Sequence, residues 1–243
     1  MSKKKKHRNM IEICKEIDLI VENKDNKKDY KNLHHDLLCV LHEEIEYSEI
    51  VIFCNTILKI ANTKNRILRY LEKDFWYFIV ELALRILLTR IDEITEDEEI
   101  EPNIDYNNHG KKILSKILGL SIEILELPCD NSNGSELRRA KALKLIACLN
   151  NYYIVPDAKI LFLNAIKSKN IAEQYNALEG LEQYYDMTDD TIDDELIKTL
   201  NSIINETKER TVASTCLQIL VNAGIIEEMT AVYEIDVWKD KHY

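Results

Sequence analysis

The chain has 243 residues, 46% of them hydrophobic and 31% charged, with a formal net charge of −11. Its 5 Gly and 3 Pro make up about 3% of the residues against roughly 12% in average proteins, too few for the tight turns of a many-stranded sandwich or barrel. The same scarcity excludes a collagen-like chain and any phosphate-cradling loop, since neither GxGxxG nor GxxxxGK[ST] can be written.

Residues 1–8 hold Lys3, Lys4, Lys5, Lys6 and Arg8 and are expected to form a disordered basic tail. Glu12, Lys15, Glu16 and Asp18 follow, where a secretory signal would have its apolar core. Residues 9–22 place Ile13, Ile17, Ile20 and Val21 on one helical stripe. After a polar link over 22–31, residues 32–46 carry Leu33, Leu37, Leu38, Leu41 and Ile45 at helical spacing. Residues 48–61 begin with the strand-favouring run Ile50, Val51, Ile52, Phe53, yet the period stays helical through Ala61, so a helix is expected. Residues 64–91 read as a short helix followed by a long one. From residue 75 the apolar side chains wrap most of the circumference, and Glu81, Arg85 and Thr89 mark the polar stripe. Such a helix is buried between neighbours and is expected at the centre of the N-terminal half. Glu81 and Arg85 are spaced for an i,i+4 pair. Phe75, Trp76, Tyr77 and Phe78 read as core, with a partner anchor as the alternative.

Residues 92–110 form an acidic loop with Asp92, Glu93, Glu96, Asp97, Glu98, Glu99, Glu101 and Asp105. Helices are then expected over 111–127, over 136–152 after a turn at 129–135, and over 157–168, 170–185, 191–205 and 208–223. Gly224 suits the C′ position. A short helix over 225–234 precedes a polar tail, 236–243. Thr191 with Asp194 resembles a capping box. Gly119 and Gly180 fall inside helices, where close packing is the expected reason.

The cysteines, Cys14, Cys39, Cys54, Cys129, Cys148 and Cys216, form no CxxC pair. Five lie in apolar helical patterns, where Cys behaves as a small hydrophobe. Reduced thiols in a cytoplasmic compartment, or a nuclear one in a eukaryote, are expected. The most apolar run, 75–88, is too short and too interrupted to span a bilayer, so no membrane association is expected.

The C-terminal half repeats itself. Ala142-Leu143-Lys144-Leu145-Ile146, Ala177-Leu178-Glu179-Gly180-Leu181 and Cys216-Leu217-Gln218-Ile219-Leu220 share the form small-Leu-x-x-aliphatic, at spacings of 35 and 39. Each copy falls on the second helix of a helix pair, the pattern of a helical solenoid. Pairs that cannot bury an apolar face alone stack, and a small residue lets them approach closely. The run from Arg210 through Ala213, Cys216 and Leu217 to Gly224 resembles the second helix of a HEAT/armadillo unit. There a basic residue precedes Ala-x-x-Ala-Leu and a glycine closes the helix. Arg139, Ala142 and Leu143 keep part of that pattern, whereas Gln174 stands where the best copy has Ala213. The resemblance covers residues 111–224. Ala83-Leu84-Arg85-Ile86-Leu87 has the same form 59 residues before Ala142, a gap that an inserted acidic loop would explain.

The resemblance implies an all-α, right-handed α-α superhelix of antiparallel helix pairs in a single elongated domain. The expected organisation is a basic tail 1–8, an N-terminal helical half 9–91, the acidic loop 92–110, HEAT-like repeats 111–235 and a tail 236–243. It also implies a non-enzymatic protein–protein interaction module, an adaptor, scaffold or inhibitor, because HEAT-like proteins chiefly bind macromolecules. The acidic body repels phosphate backbones, so direct nucleic-acid contact is not expected. One specific form is an acidic inhibitor or immunity-type protein that blocks a basic, nucleic-acid-handling partner. A HEAT-like DNA glycosylase is a further alternative, but it needs a cationic face.

Candidate partner-binding residues follow from charge and aromatic placement. Arg138, Arg139, Lys141 and Lys144 form a basic stretch that can line a groove for an acidic peptide, or serve as a solvated face with Arg139 in packing. Tyr152, Tyr153, Tyr184 and Tyr185 come at helix ends, suited to surface rings. Glu96, Asp97, Glu98 and Glu99 would set partner charge. No metal site is expected: His35, Cys39 and His42 share one face of an expected helix and could ligate zinc with Cys14 or Cys54 as a fourth ligand, but Cys39 borders the leucine stripe and reads as core. The HExxH motif fails because Glu46 occupies its last position. Asp189, Asp190, Asp193 and Asp194 lack the EF-hand glycine and read as helix capping. No catalytic constellation can be assembled from spacing, and no cofactor is expected.

Overall fold

The computed structural model describes residues 8–22, 33–42, 45–62, 66–92, 109–127, 133–150, 155, 157–188 and 190–242. Among these residues it is all-α, with eleven helices and no strand. The chain divides into two compact units, residues 1–128 and 129–243.

The first unit holds α1 (Met10–Val21), α2 (Leu33–Val40), α3 (Tyr47–Ala61), α4 (Arg66–Asp92) and α5 (Lys111–Glu126). A full capping box opens α1: the Asn9 side chain accepts from the Glu12 amide at 2.9 Å, and the Glu12 carboxylate accepts from the Asn9 amide at 3.1 Å. Arg8, assigned to the basic tail, is instead part of the fold, because its guanidinium pairs with both Glu16 and Asp36 and so ties α1 to α2. The helix expected over 32–46 stops at Val40. Leu41 and His42 form a turn, closed by the His42 amide on the Cys39 carbonyl, and Glu49 accepts from the Glu46 amide to start α3. Leu41 and Ile45 stay buried, so the apolar period runs on where the helix does not.

The strand-like Ile50 run is helical, and Phe53 packs edge-on against Phe75 and tilted against Phe78, each at 4.9 Å. The two helices expected over 64–91 are one. Phe75, Trp76 and Phe78 are buried core, while Tyr77 is exposed. Arg85 donates to the Leu41 carbonyl at 3.1 Å rather than pairing with Glu81. Both α3 and α4 pack on α5, and α5 falls within this unit. The acidic residues 93–108 lie outside the described residues; His109 and Gly110 already turn into α5, and His109 Nε2 sits 2.9 Å from the Ile45 carbonyl.

Gly119 has no atom within 4 Å of where a Cβ would stand, so the expected close packing is absent there. Gly119→Ala should therefore stabilise the fold by about 0.5–1 kcal/mol, because alanine is the better helix former. A urea midpoint that falls rather than rises would contradict this.

The second unit holds α6 (Asn133–Asn150), α7 (Ala158–Ala165), α8 (Ile171–Met187), α9 (Asp194–Glu206), α10 (Arg210–Asn222) and α11 (Glu228–His242). Helix α6 begins three residues earlier than expected and takes the Asn133-Gly134 turn signal into its first turn. Asp193, not Thr191, caps α9: its carboxylate accepts from the Leu196 amide at 2.8 Å, the geometry of an N-cap. Gly224, at φ +67°, closes α10 in a Schellman motif, with the Ile225 amide on the Leu220 carbonyl and the Gly224 amide on that of Val221. The short helix and polar tail expected over 225–243 are one helix. Glu228 in its first turn and Lys239, Lys241 and His242 in its last complement the helix dipole, and Trp238 is buried.

Packing follows a repeated order. Helix α8 lies between α6 and α10, while α7 packs on α8 and α9 on α10. Ala142 on α6, Ala177 on α8 and Cys216 on α10, the residues of the sequence repeat, are all fully buried.

Cys14, Cys54 and Cys216 are core thiols, pushed up by burial to about 11, 12 and 12 from an ordinary value of 9.0. The proton is held in the folded state, so the stabilisation is complete below pH 9 and is lost as pH rises through the folded values. Each thiol should lower stability by about 1.4 kcal/mol per pH unit above 9. Urea titrations of Cys216→Ala and the parent at pH 8 and pH 10 check this: the gap between them must narrow at pH 10.

Candidate functional site

Two features of the second unit bring chemistry-bearing side chains together. The first joins α7, α8 and the connection into α9. Lys159 Nζ on α7 lies 2.7 Å from Asp190 Oδ2 and 5.5 and 5.2 Å from the ring centres of Tyr184 and Tyr185. The two rings meet edge-to-face at 5.4 Å, and the Tyr184 hydroxyl donates to Asp190 at 2.9 Å. Both tyrosines fall at the end of a helix whose inward positions are Ala177, Leu178 and Leu181, so one ring continues the buried stripe and the next stands beside it. Tyr185 is buried rather than a surface ring.

The electrostatics follow from that geometry. Asp190 is held below the usual carboxylate range by the hydrogen bonds from Lys159 and Tyr184. Burial alone would lower Lys159, but its hydrogen bonds to Asp190 and Tyr185 leave it raised. Burial raises both tyrosines, and Lys159 opposes this for each. Near neutral pH the lysine is thus cationic and the phenols neutral, which suits a cation–π latch and offers no free base. A cavity of about 140 Å³ lies alongside, lined by Lys159, Leu163, Ile166, Tyr185, Leu196 and Thr199 among others. Its charged rim is largely self-compensated, with Lys167 4.0 Å from Glu195.

The second feature is α11. Its inward side is Ala231, Ile235 and Trp238, with Trp238 stacked on His242 at 4.5 Å. The opposite side carries Met229, Val232, Tyr233 and Val237, which are 76%, 52%, 66% and 42% exposed. Spacings of i, i+3, i+4 and i+8 make these four one stripe. An exposed apolar set of this kind marks an interaction surface more often than an isolated exposed residue does.

The other sequence candidates are dispersed. Arg139 turns inward to Glu173 on α8, its Nε 2.9 Å from a carboxylate only 5% exposed. Lys144 is exposed, and Arg138 and Lys141 are half-buried. Tyr152 and Tyr153, and Glu96, Asp97, Glu98 and Glu99, lie outside the described residues. His35 Nε2 is 3.8 Å from Cys39 Sγ, but His42 sits in the turn beyond α2, so the three do not share one helical face. Cys14 and Cys54, the suggested fourth ligands, are buried in the core. Among the described residues no group of three His, Cys, Asp or Glu is placed to hold a metal ion. Among the same residues no helix is long and apolar enough to cross a membrane.

Sequence reasoning missed Lys159 and Asp190 as partners, because 31 residues separate them. It also missed the α11 stripe. The spacing was present, but dividing the segment into a short helix and a tail cut it in two.

No protein-family model matches the chain, and no curated protein or solved structure matches it either.

Proposed function

We propose that the chain is a non-enzymatic protein-binding module whose second unit is a HEAT-like stack of helix pairs. Support for the stack comes from the packing order, in which α8 contacts both α6 and α10, and from the full burial of the small repeat residues on these three helices. The observation that carries the binding function is the exposed apolar stripe of α11, on the side of the helix opposite its packing face. The net charge of −11 favours a basic partner, including the form in which the chain acts as an inhibitor of a nucleic-acid-handling protein. No substrate or cofactor chemistry enters this reading, since the best-formed polar cluster is internally neutralised.

Affinity capture of the full chain from its native source, at low and at high salt, tests the proposal. The expected result is a stoichiometric partner retained at low salt and weakened at high salt. Recovery of the chain alone at low salt would overturn it.

A further inference from the structure

We propose that the exposed face of α11 docks a cationic amphipathic helix of a partner protein. The proposal deepens the binding-module reading and rests on it. Met229, Val232, Tyr233 and Val237 span nine residues, or about 12 Å of helix axis. That is two turns, the length over which a partner helix presents one set of i, i+3, i+4 and i+7 anchors. Tyr233 is the central anchor: a ring with two rotatable bonds brings contact area at low entropic cost, and tyrosine is enriched at hot spots.

Charge selects the occupant. Asp236 and Asp240 lie on the same side as the stripe, and Glu228 borders it beside Val232. Glu227, just before α11, and Glu234 are exposed as well. The bases nearby are Lys239 and Lys241, with Arg210 at the start of α10 close enough to act on Asp236. Lys239 pairs with Asp236. The segment 227–242 thus holds five acids against two lysines, a local excess of three negative charges on an already acidic chain. A second copy would bring the same acids against themselves. Its stripe of four side chains is also short for the 1,200–2,000 Å² that a stable dimer interface buries. A helix with leucines on one face and lysines or arginines at its margins satisfies both the apolar stripe and the acids.

The test titrates the full-length chain with two synthetic 18-residue helices. One carries Leu at i, i+3, i+4 and i+7 with Lys at the flanking positions; the other has Glu in place of Lys. Calorimetry is run at about 50 and 300 mM salt, with sedimentation of the chain alone. The Lys peptide is expected to bind at least tenfold tighter than the Glu peptide and to weaken with salt. Val232→Ala/Tyr233→Ala should weaken it at least tenfold, and Asp240→Asn/Glu228→Gln about threefold with the stripe intact. Ile160→Ala, an exposed apolar truncation on α7, should change nothing. All these residues are exposed, so folding is preserved, and circular dichroism verifies it.

Equal binding of both peptides, binding unchanged by the α11 variants, or no binding at all would each overturn the proposal. So would a dimer of the chain that Tyr233→Ala dissolves, because the occupant would then be a second copy. The binding-module reading fails separately: it stands if native capture of a partner survives Val232→Ala/Tyr233→Ala, and it falls if the parent chain captures none.

Discussion

Arg139→Ala should destabilise the second unit by about 3 kcal/mol, the low end of the range for breaking a buried ion pair. Glu173 is buried at the start of α8, where its carboxylate accepts from Arg139 Nε at 2.9 Å and from the Ser168 hydroxyl at 3.0 Å. Its backbone amide donates to Asn170 Oδ1 at 2.9 Å, which caps the first turn of α8. Removing the guanidinium leaves a desolvated carboxylate with one hydroxyl donor. Water entering along the partly exposed Arg139 side is what keeps the cost at the low end. The double variant Arg139→Met/Glu173→Gln removes the buried charge as well as its partner and should recover more than half of the loss. Urea unfolding of the three proteins measures both quantities. A loss below about 1 kcal/mol for Arg139→Ala would mean that the pair is screened like a surface bridge.

Gly180→Ala should also destabilise, by about 2 kcal/mol. A Cβ at residue 180 would stand 2.4 Å from Phe162 Cε1 and Cζ and 2.8 Å from Cδ1. Phe162 is fully buried in α7, so its ring cannot move aside without opening the contact between α7 and α8. Alanine gains about 1 kcal/mol of helix propensity, and overpacking of this severity outweighs it. Phe162→Leu in the Gly180→Ala background should relieve the overlap, giving a coupling of at least 1 kcal/mol in a double-mutant cycle. Additive effects, or a stabilising Gly180→Ala, would show that the ring yields freely. The contrast with Gly119→Ala makes the point independent of propensity, since both positions are helical glycines and only one faces a ring.

The helices themselves were legible because apolar spacing is a local signal, and each expected helix falls on an observed one, though with different bounds. What failed was punctuation. Helix α2 ends at Val40 although Leu41 and Ile45 continue its apolar period, because burial in a turn satisfies the same pattern. Helix α11 runs through 236–242 although that stretch reads as polar, because one buried tryptophan and a charge distribution matched to the dipole hold it. The candidate sites show the same limit. Tyr184 and Tyr185 stand out by position, but Lys159 and Asp190 become their partners only when α7 and α8 pack. The α11 stripe is written at 229, 232, 233 and 237, and a second apolar face at 231, 235 and 238. Only the packing of the latter on α10 decides which of the two is left exposed.

The most direct measurement is affinity capture with the parent chain and with Val232→Ala/Tyr233→Ala side by side at low salt. A basic partner is expected, stoichiometric with the parent and lost from the variant. The parent chain emerging alone at low salt would contradict it.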